Sequence, residues 1–379
     1  MAAPLSRPER VVGLHFFNPA PRMALVEIVS GLATDPGIAA CLHATAKAWG
    51  KIPVHAKSTP GFIVNRVARP YYGEALRVLG EQAATPVTLD AILRESCNFP
   101  MGPFELMDLI GHDVNFAVSR SVCDAYFGDR RFTPSLLQQE LVFAGRLGRK
   151  SGQGFYSYAA GAEKPQPASE PPRVPVSRAR VAGDAGIVQP LIERIAAAGI
   201  EVVRETGTQP AVLHIGEAQL ALSDGRSATR RAVEEGRPNL VLFDLARDYA
   251  SATRLAIARA DSCSAAACEQ VVGTLQATGL AISRIDDVAG LIALRTVAML
   301  ANEGADAVLA GIGSAADIDT AMRYGTNYPE GPLAWADRLG PARVLATLAN
   351  LHAHYGDERY RQSPLLQRLA FNGRHFAEL

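Results

Sequence analysis

Two short apolar runs open the chain. Val11 to Leu14 carries no polar side chain and leads into His15, and LVEIV (Leu25 to Val29) is apolar except for Glu27. Runs of this length predict buried strands, the first covered on both faces. From Ser58 the pattern becomes helical. STPGFIVNR (58–66) predicts a helix capped by Ser58 or Thr59, with Pro60 in its first turn and Asn65 in its second, near the positive end of the dipole. KPQPASEPPRVP (164–175) is proline-dense and polar, which predicts a linker without a packed element. An α/β pattern follows: a strand at Arg180–Ala182, a helix over 187–198, a strand at Gly199–Val203 and an apolar strand at Leu240–Asp244, of the kind buried in parallel sheets. This predicts a small Rossmann-like domain over 176–285.

The helical material occurs twice. PMGPF (Pro100 to Phe104) returns as PEGPL (Pro329 to Leu333), and the offset from Gly102 to Gly331 is 229 positions. The same offset pairs Arg66 with Arg295, Glu74 with Glu303, Asp90 with Asp319, Asp108 with Asp337 and Gly111 with Gly340. Two copies of one helical unit are therefore expected, over 59–125 and 288–354. They should pack against each other, because each has apolar helix faces too broad for a lone hairpin to bury.

Composition narrows the functional classes. The 379 residues allow two or three domains, each with its own core. Lys plus Arg and Asp plus Glu are 38 each, so the net charge is zero, which argues against nucleic acid or an anionic membrane as partner. No apolar run reaches the length of a membrane span, and Met1 to Arg10 has no signal-peptide core. The five cysteines are odd in number and show no CxxC spacing, which predicts free thiols in a reducing cytoplasm and no metal site.

The candidate chemistry lies at the N-terminal end. Glu27 inside an apolar strand is costly to bury without a partner, and His15 one strand over supplies one. The pair has the logic of a base oriented by an acid: the carboxylate holds one ring nitrogen and the other takes a proton. The two side chains are expected within about 2.6–3.2 Å. The alternatives are a structural ion pair for these two and a surface amide for Asn65, which could otherwise hold a substrate carbonyl. In the second copy Leu294 stands where the first has Asn65, and no HFFNP strand precedes it. Copy one is thus expected to host the site and copy two to be structural. The turn GDAG (Gly183 to Gly186) does not meet the G-x-G-x-x-G spacing of a dinucleotide site, so the middle domain is expected to be structural.

Four features together carry a resemblance: HFFNP (His15 to Pro19) with Glu27, TPGFIVNR (Thr59 to Arg66), the P-x-G-P turn in both copies, and GRKSGQGFY (Gly148 to Tyr156). They resemble the 3-hydroxyacyl-CoA dehydrogenase family over essentially the whole chain. The two-copy layout is similar to the 3-hydroxybutyryl-CoA or 3-hydroxyadipyl-CoA dehydrogenases of the phenylacetate-pathway type. The resemblance implies NAD as cofactor, an acyl-CoA substrate and a possible homodimer. It makes His15 the catalytic base and Glu27 its partner. Asn65 becomes a substrate-carbonyl contact, Asn18 a neighbour of nicotinamide and substrate, and Lys150 a lysine that approaches the cofactor. Other β-hydroxyacid dehydrogenases share a helical second domain but lack the HFFNP-to-Glu pairing.

In the family a full NAD-binding domain with G-x-G-x-x-G and a serine-bearing Thr-Ser-Ser stretch precede the His. Ten residues precede the first strand here. The expected architecture is α/β plus all-α: a remnant of the NAD-binding Rossmann sheet (1–57), a helical C-terminal-type domain (58–160), a linker (161–175), a reduced Rossmann-like domain (176–285) and a second helical copy (286–379). The expected activity is NAD-dependent oxidation of a 3-hydroxyacyl-CoA, impaired by loss of the nucleotide-binding domain. The alternative is a folded, non-catalytic acyl-CoA-binding or dimerisation remnant.

Overall fold

The computed structural model describes residues 2–379. Its first unit is a three-stranded sheet. Strand β1 (Val12–Phe16) runs antiparallel to β2 (Leu25–Ser30), and β2 runs parallel to β3 (Ile52–Lys57) through the crossover helix α1 (Pro36–Ala48). Alternation assigns the faces of β2. Val26 and Ile28 meet Ala39 and Ala46 of α1, with Val12, Leu14 and Phe16 of β1 packed alongside. Leu25 and Val29 point the other way, into the main core, and Glu27 lies between them. β1 departs from the expected two-sided burial. Val12 and Leu14 are half-buried and Gly13 is exposed, because β1 lies at the edge of this sheet.

Helices α2 (Val64–Val67), α3 (Arg69–Gly80), α4 (Pro86–Cys97), α5 (Pro103–Ile110), α6 (His112–Ala125) and α7 (Leu136–Phe143) follow. The proline-dense segment after them forms no helix or strand, but it is not a free spacer. Glu170 N–H donates to Ile282 O, the Ser283 hydroxyl donates to Ala168 O, and the Gln276 amide donates to the carbonyls of Glu170 and Pro171. The segment is a strap along one edge of the next domain.

That domain comprises β4 (Arg178–Asp184), α8 (Gln189–Ala197), β5 (Glu201–Pro210), β6 (Val212–Ile215), β7 (Ala218–Leu222), α9 (Ala228–Glu235), β8 (Leu240–Phe243), β9 (Arg254–Arg259), α10 (Ala265–Ala277) and β10 (Ala281–Arg284). Its seven strands run in the order β10-β9-β8-β7-β6-β4-β5. The sheet is mixed rather than parallel: β4/β6, β6/β7 and β8/β9 are antiparallel. The β6–β7 connection is a two-residue hairpin with Gly216 at φ +56°, and such a turn can join only antiparallel strands.

The chain ends with α11 (Ala293–Leu309), α12 (Ala315–Gly325), α13 (Pro332–Leu339), α14 (Pro341–Tyr355) and α15 (Pro364–Asn372). The two helical sets pack on each other through α3 and α11, and two ion pairs cross the contact. Arg66 Nε donates to Glu303 at 2.5 Å, and Arg295 Nε donates to Glu74 at 2.6 Å. Tyr126 and Tyr355 hydroxyls accept from Arg66 and Arg295 respectively. Every one of these residues has its counterpart 229 positions away. Burial opposes the Arg66 charge, yet Glu303 outweighs it and raises the guanidinium above its ordinary range.

The P-x-G-P turn has a structural cause. Asp90 accepts from Phe104 and Glu105 N–H, both at 2.9 Å, and Asp319 accepts from Leu333 at 2.8 Å and Ala334 at 2.9 Å. Each carboxylate caps the helix that starts at the turn's second proline. A Cβ on Gly102 would sit 2.3 Å from Asp90, and one on Gly331 2.2 Å from Asp319. Glycine is needed because the carboxylate occupies the space.

Candidate active site

His15 and Glu27 are direct cross-strand partners on β1 and β2. Their side chains therefore project from one face of the antiparallel pair. His15 Nδ1 lies 2.6 Å from Glu27 Oε2, the contact expected from the residue types. The other oxygen, Oε1, accepts the backbone N–H of Ile63 at 2.9 Å and of Val64 at 3.1 Å. Glu27 is fully buried, and the His15 side chain is 33 % exposed. A carboxylate that accepts two amide protons on one oxygen has the other free to take the Nδ1–H of the imidazole. That fixes the tautomer and leaves Nε2 as an unprotonated acceptor.

The helix start differs from the sequence expectation. Neither Ser58 nor Thr59 caps it. Residues 59–62 form a turn with Gly61 at φ +78° and Phe62 at φ +45°, and α2 begins at Val64. The N-cap position, Ile63, has no polar side chain, so Glu27 reaches across from β2 to satisfy the first N–H groups. Asn65 falls in the first turn, half-buried. Phe62 and Phe17 stand edge-on to the imidazole, with centroids 5.4 Å and 4.8 Å away. Asn18 is exposed and precedes a cis peptide to Pro19. The structure thus brings together His15, Glu27 and the chain immediately ahead of Asn65.

Lys150 lies elsewhere. It pairs with Asp113 at 2.5 Å, beside Gly111 at the start of α6. Its loop is held by Asp108, which accepts from Phe155 N–H at 3.0 Å, Tyr156 N–H at 2.9 Å and the Tyr158 hydroxyl at 2.9 Å, with His112 Nε2 at 2.7 Å. Burial pushes the Asp108 carboxyl up, but the His112 and backbone hydrogen bonds outweigh it and hold it below its ordinary value. A depressed carboxyl contributes stability above its unfolded pKa and loses it as pH falls through the folded one. Asp108→Asn turns an NH2 group toward these donors and should cost about 1–3 kcal/mol locally. Faster amide exchange at Phe155 and Tyr156 is the expected reading, and unchanged exchange would remove Asp108 as the anchor.

One residue had no signal in the repeat. Asp244, directly after β8, is fully buried and accepts from Ile292 at 3.0 Å, Ala293 at 2.7 Å, Leu294 at 2.9 Å and Leu245 at 2.8 Å. Ile292 and Ala293 are the positions 229 on from Ile63 and Val64, so Asp244 caps α11 as Glu27 caps α2. Burial pushes its carboxyl up to about 6 against those amides. Both its oxygens are occupied, and no imidazole completes a dyad there among the described residues. The counterpart of Phe62, Leu291, also has a positive φ, +51°. In the middle domain Asp184 accepts the Gly186 N–H at 3.1 Å, taking an amide that a pyrophosphate would need at that turn.

Family models match most of the chain. The 3-hydroxyacyl-CoA dehydrogenase C-terminal domain matches residues 61–158 and 290–377. The 3-hydroxybutyryl-CoA dehydrogenase reduced Rossmann-fold domain matches 220–288, and the 3-hydroxyacyl-CoA dehydrogenase NAD binding domain matches 1–59. The expectation of a chain lacking most of its NAD-binding domain is thereby corrected: residues 1–59, expected as a remnant over 1–57, match that domain, and the expectation of impaired activity is not supported. A 3-hydroxyadipyl-CoA dehydrogenase of Escherichia coli (strain K12) is 45% identical over 98% of this chain and 72% of its own length. The crystal structure of a 3-hydroxybutyryl-CoA dehydrogenase from Escherichia coli K12 superposes with a TM-score of 0.87 at 44% identity, again over 98% of this chain and 72% of that one. A probable 3-hydroxybutyryl-CoA dehydrogenase of Bacillus subtilis is 42% identical over 42% of this chain, which spans 55% of that relative. No helix among the described residues is long and apolar enough to cross a membrane. With the dyad in place, the helical and reduced Rossmann domains matched, and a relative 45% identical along 98% of this chain, the chain belongs to the 3-hydroxyacyl-CoA dehydrogenase family.

Proposed function

We propose that this chain carries the proton-transfer step of NAD-dependent oxidation of a 3-hydroxyacyl-CoA to the 3-oxoacyl-CoA. The observation that carries it is the buried Glu27 carboxylate holding Nδ1 of a His15 whose ring is partly open to solvent. His15 Nε2 takes the proton of the 3-hydroxyl, and Glu27 stabilises the imidazolium that forms. When bound, NAD supplies the hydride acceptor. The residues around His15 fit the reacting end of that cofactor: two aromatic rings flank the imidazole, and Asn18, three residues on, is exposed. Asn65, half-buried in the first turn of α2, is positioned to contact the substrate carbonyl, whereas Lys150, held by Asp113 away from the dyad, has no part in the proton transfer. The relatives named for 3-hydroxyadipyl-CoA and 3-hydroxybutyryl-CoA support a short acyl chain.

On this reading the two helical sets are copies of one unit, over 59–125 and 288–354, and only the first is catalytic. Asp244 occupies the capping place of Glu27 with both oxygens used, and Leu294 replaces Asn65. Purified chain should reduce NAD with 3-hydroxybutyryl-CoA or 3-hydroxyadipyl-CoA and not with the free hydroxy acids. Absence of NADH formation alongside calorimetric binding of the 3-oxoacyl-CoA would reduce the chain to an acyl-CoA-binding protein.

A further inference from the structure

A second site lies away from the dyad. Between α3, α6 and α7 is a cavity of about 130 Å³ with Arg69, Arg77, Arg131 and Arg359 in its wall. Three of these arginines have acids. Arg77 pairs with Glu74, Arg131 with Asp306 and Glu303, and Arg359 with Asp357. Arg69 has none. It is 9 % exposed, donates one long hydrogen bond of 3.3 Å to the Ser119 hydroxyl, and lies over the Tyr72 ring at 4.9 Å. Among the described residues its Nε–H has no partner, and neither does that of Arg131. Burial lowers the Arg69 guanidinium below its ordinary value.

A buried guanidinium without an anion is costly, and unsatisfied buried donors add to the cost. Packing does not demand the charge. The position 229 on, inside α11, is the fully buried Ala298. The other buried arginines of the two helical sets, Arg66, Arg131 and Arg295, each lie against a carboxylate. The wall also offers hydroxyls, Ser119, Thr133 and Ser135, and Ser135 begins α7 without capping it through its side chain. Ligand pockets for drug-sized molecules run to roughly 300–1,000 Å³. This one is too small for a nucleotide and suits a compact oxyanion.

We infer that this cavity binds a small oxyanion of the phosphate class, with Arg69 as its principal counter-charge. Guanidinium forks match tetrahedral oxyanions bidentately. The anion would pair with Arg69, take the unused Nε–H groups and lie near the first amides of α7. Because the wall joins α3, α6 and α7 to Arg359 of the other helical set, occupancy would tie the two sets together.

Thermal unfolding of the full chain tests this with inorganic phosphate against chloride at matched pH and ionic strength. The expected result is a melting temperature that climbs with the logarithm of phosphate. Arg69→Met should abolish the climb, and in phosphate-free buffer it should melt no lower than the parent, since the unpaired charge is gone. A purely structural Arg69 predicts the reverse: a lower melting temperature for the variant in both buffers and no phosphate effect in the parent. Equilibrium dialysis should show one phosphate per parent chain, with weaker retention in Arg69→Lys should the methionine variant not fold. No phosphate bound by the parent, an equal climb in Arg69→Met, or a shift seen with coenzyme A but not with free phosphate would each overturn the inference.

Discussion

Replacing His15 with glutamine should lower kcat by about 10²–10⁴-fold, the usual worth of a positioned general base. Glutamine can still donate its amide to Glu27, so the strand pair and the cap on α2 keep their partner. What it lacks is an atom that accepts the hydroxyl proton at neutral pH. The side chain is one-third exposed and stands at the sheet edge, so its loss leaves little cavity. Stability should therefore hold while turnover collapses. KM for the acyl-CoA should move far less than kcat, because a proton acceptor acts in the transition state rather than in ground-state binding. Steady-state kinetics beside a thermal melt separate the cases. A variant that melts like the parent and retains more than about a tenth of its kcat would remove His15 as the base.

Much of this site was legible in the sequence because its logic is local and costly to violate. A carboxylate within LVEIV must find a partner, and a two-residue side-chain period places His15 opposite it once the strands pair. The offset of 229 was legible for the same reason. Asp90, Gly102 and their counterparts are locked together by a carboxylate that leaves no room for a Cβ. What escaped depends on contacts that spacing does not encode. The cap on α2 comes from Glu27, a strand and a helix away, rather than from Ser58 or Thr59. Asp244 caps α11 from a domain with different connectivity, so the 229 offset does not extend to it. One apolar strand, Leu240–Asp244, is all that points to a parallel middle sheet. β6 and β10, four residues each, carry too few residues to set a period, and the hairpin at Gly216 reverses the chain.

Glu27 has two duties, and two substitutions should separate them. Glu27→Ala leaves the buried amides of Ile63 and Val64 without an acceptor. At about 1–3 kcal/mol per orphaned group, the loss approaches half of an ordinary domain's stability. Glu27→Gln should cost much less, because its carbonyl oxygen can replace Oε1. The other arrangement would set an NH2 group against two backbone N–H donors, so the orientation is decided by the cap. The amide NH2 then faces His15 Nδ1 and forces that nitrogen to accept. The ring proton moves to Nε2, the atom that must take the proton of the substrate. A folded enzyme with the wrong tautomer is the expected result, with kcat down by about 10⁴, the scale of a comparable tautomer inversion in a Ser-His-Asp triad. Nitrogen NMR of His15 should show protonated Nδ1 in the parent and protonated Nε2 in Glu27→Gln. Equal destabilisation of both variants would mean that α2 needs the charge of Glu27 rather than an acceptor. A Glu27→Gln enzyme of parental kcat would show that the carboxylate holds the helix and leaves the base alone.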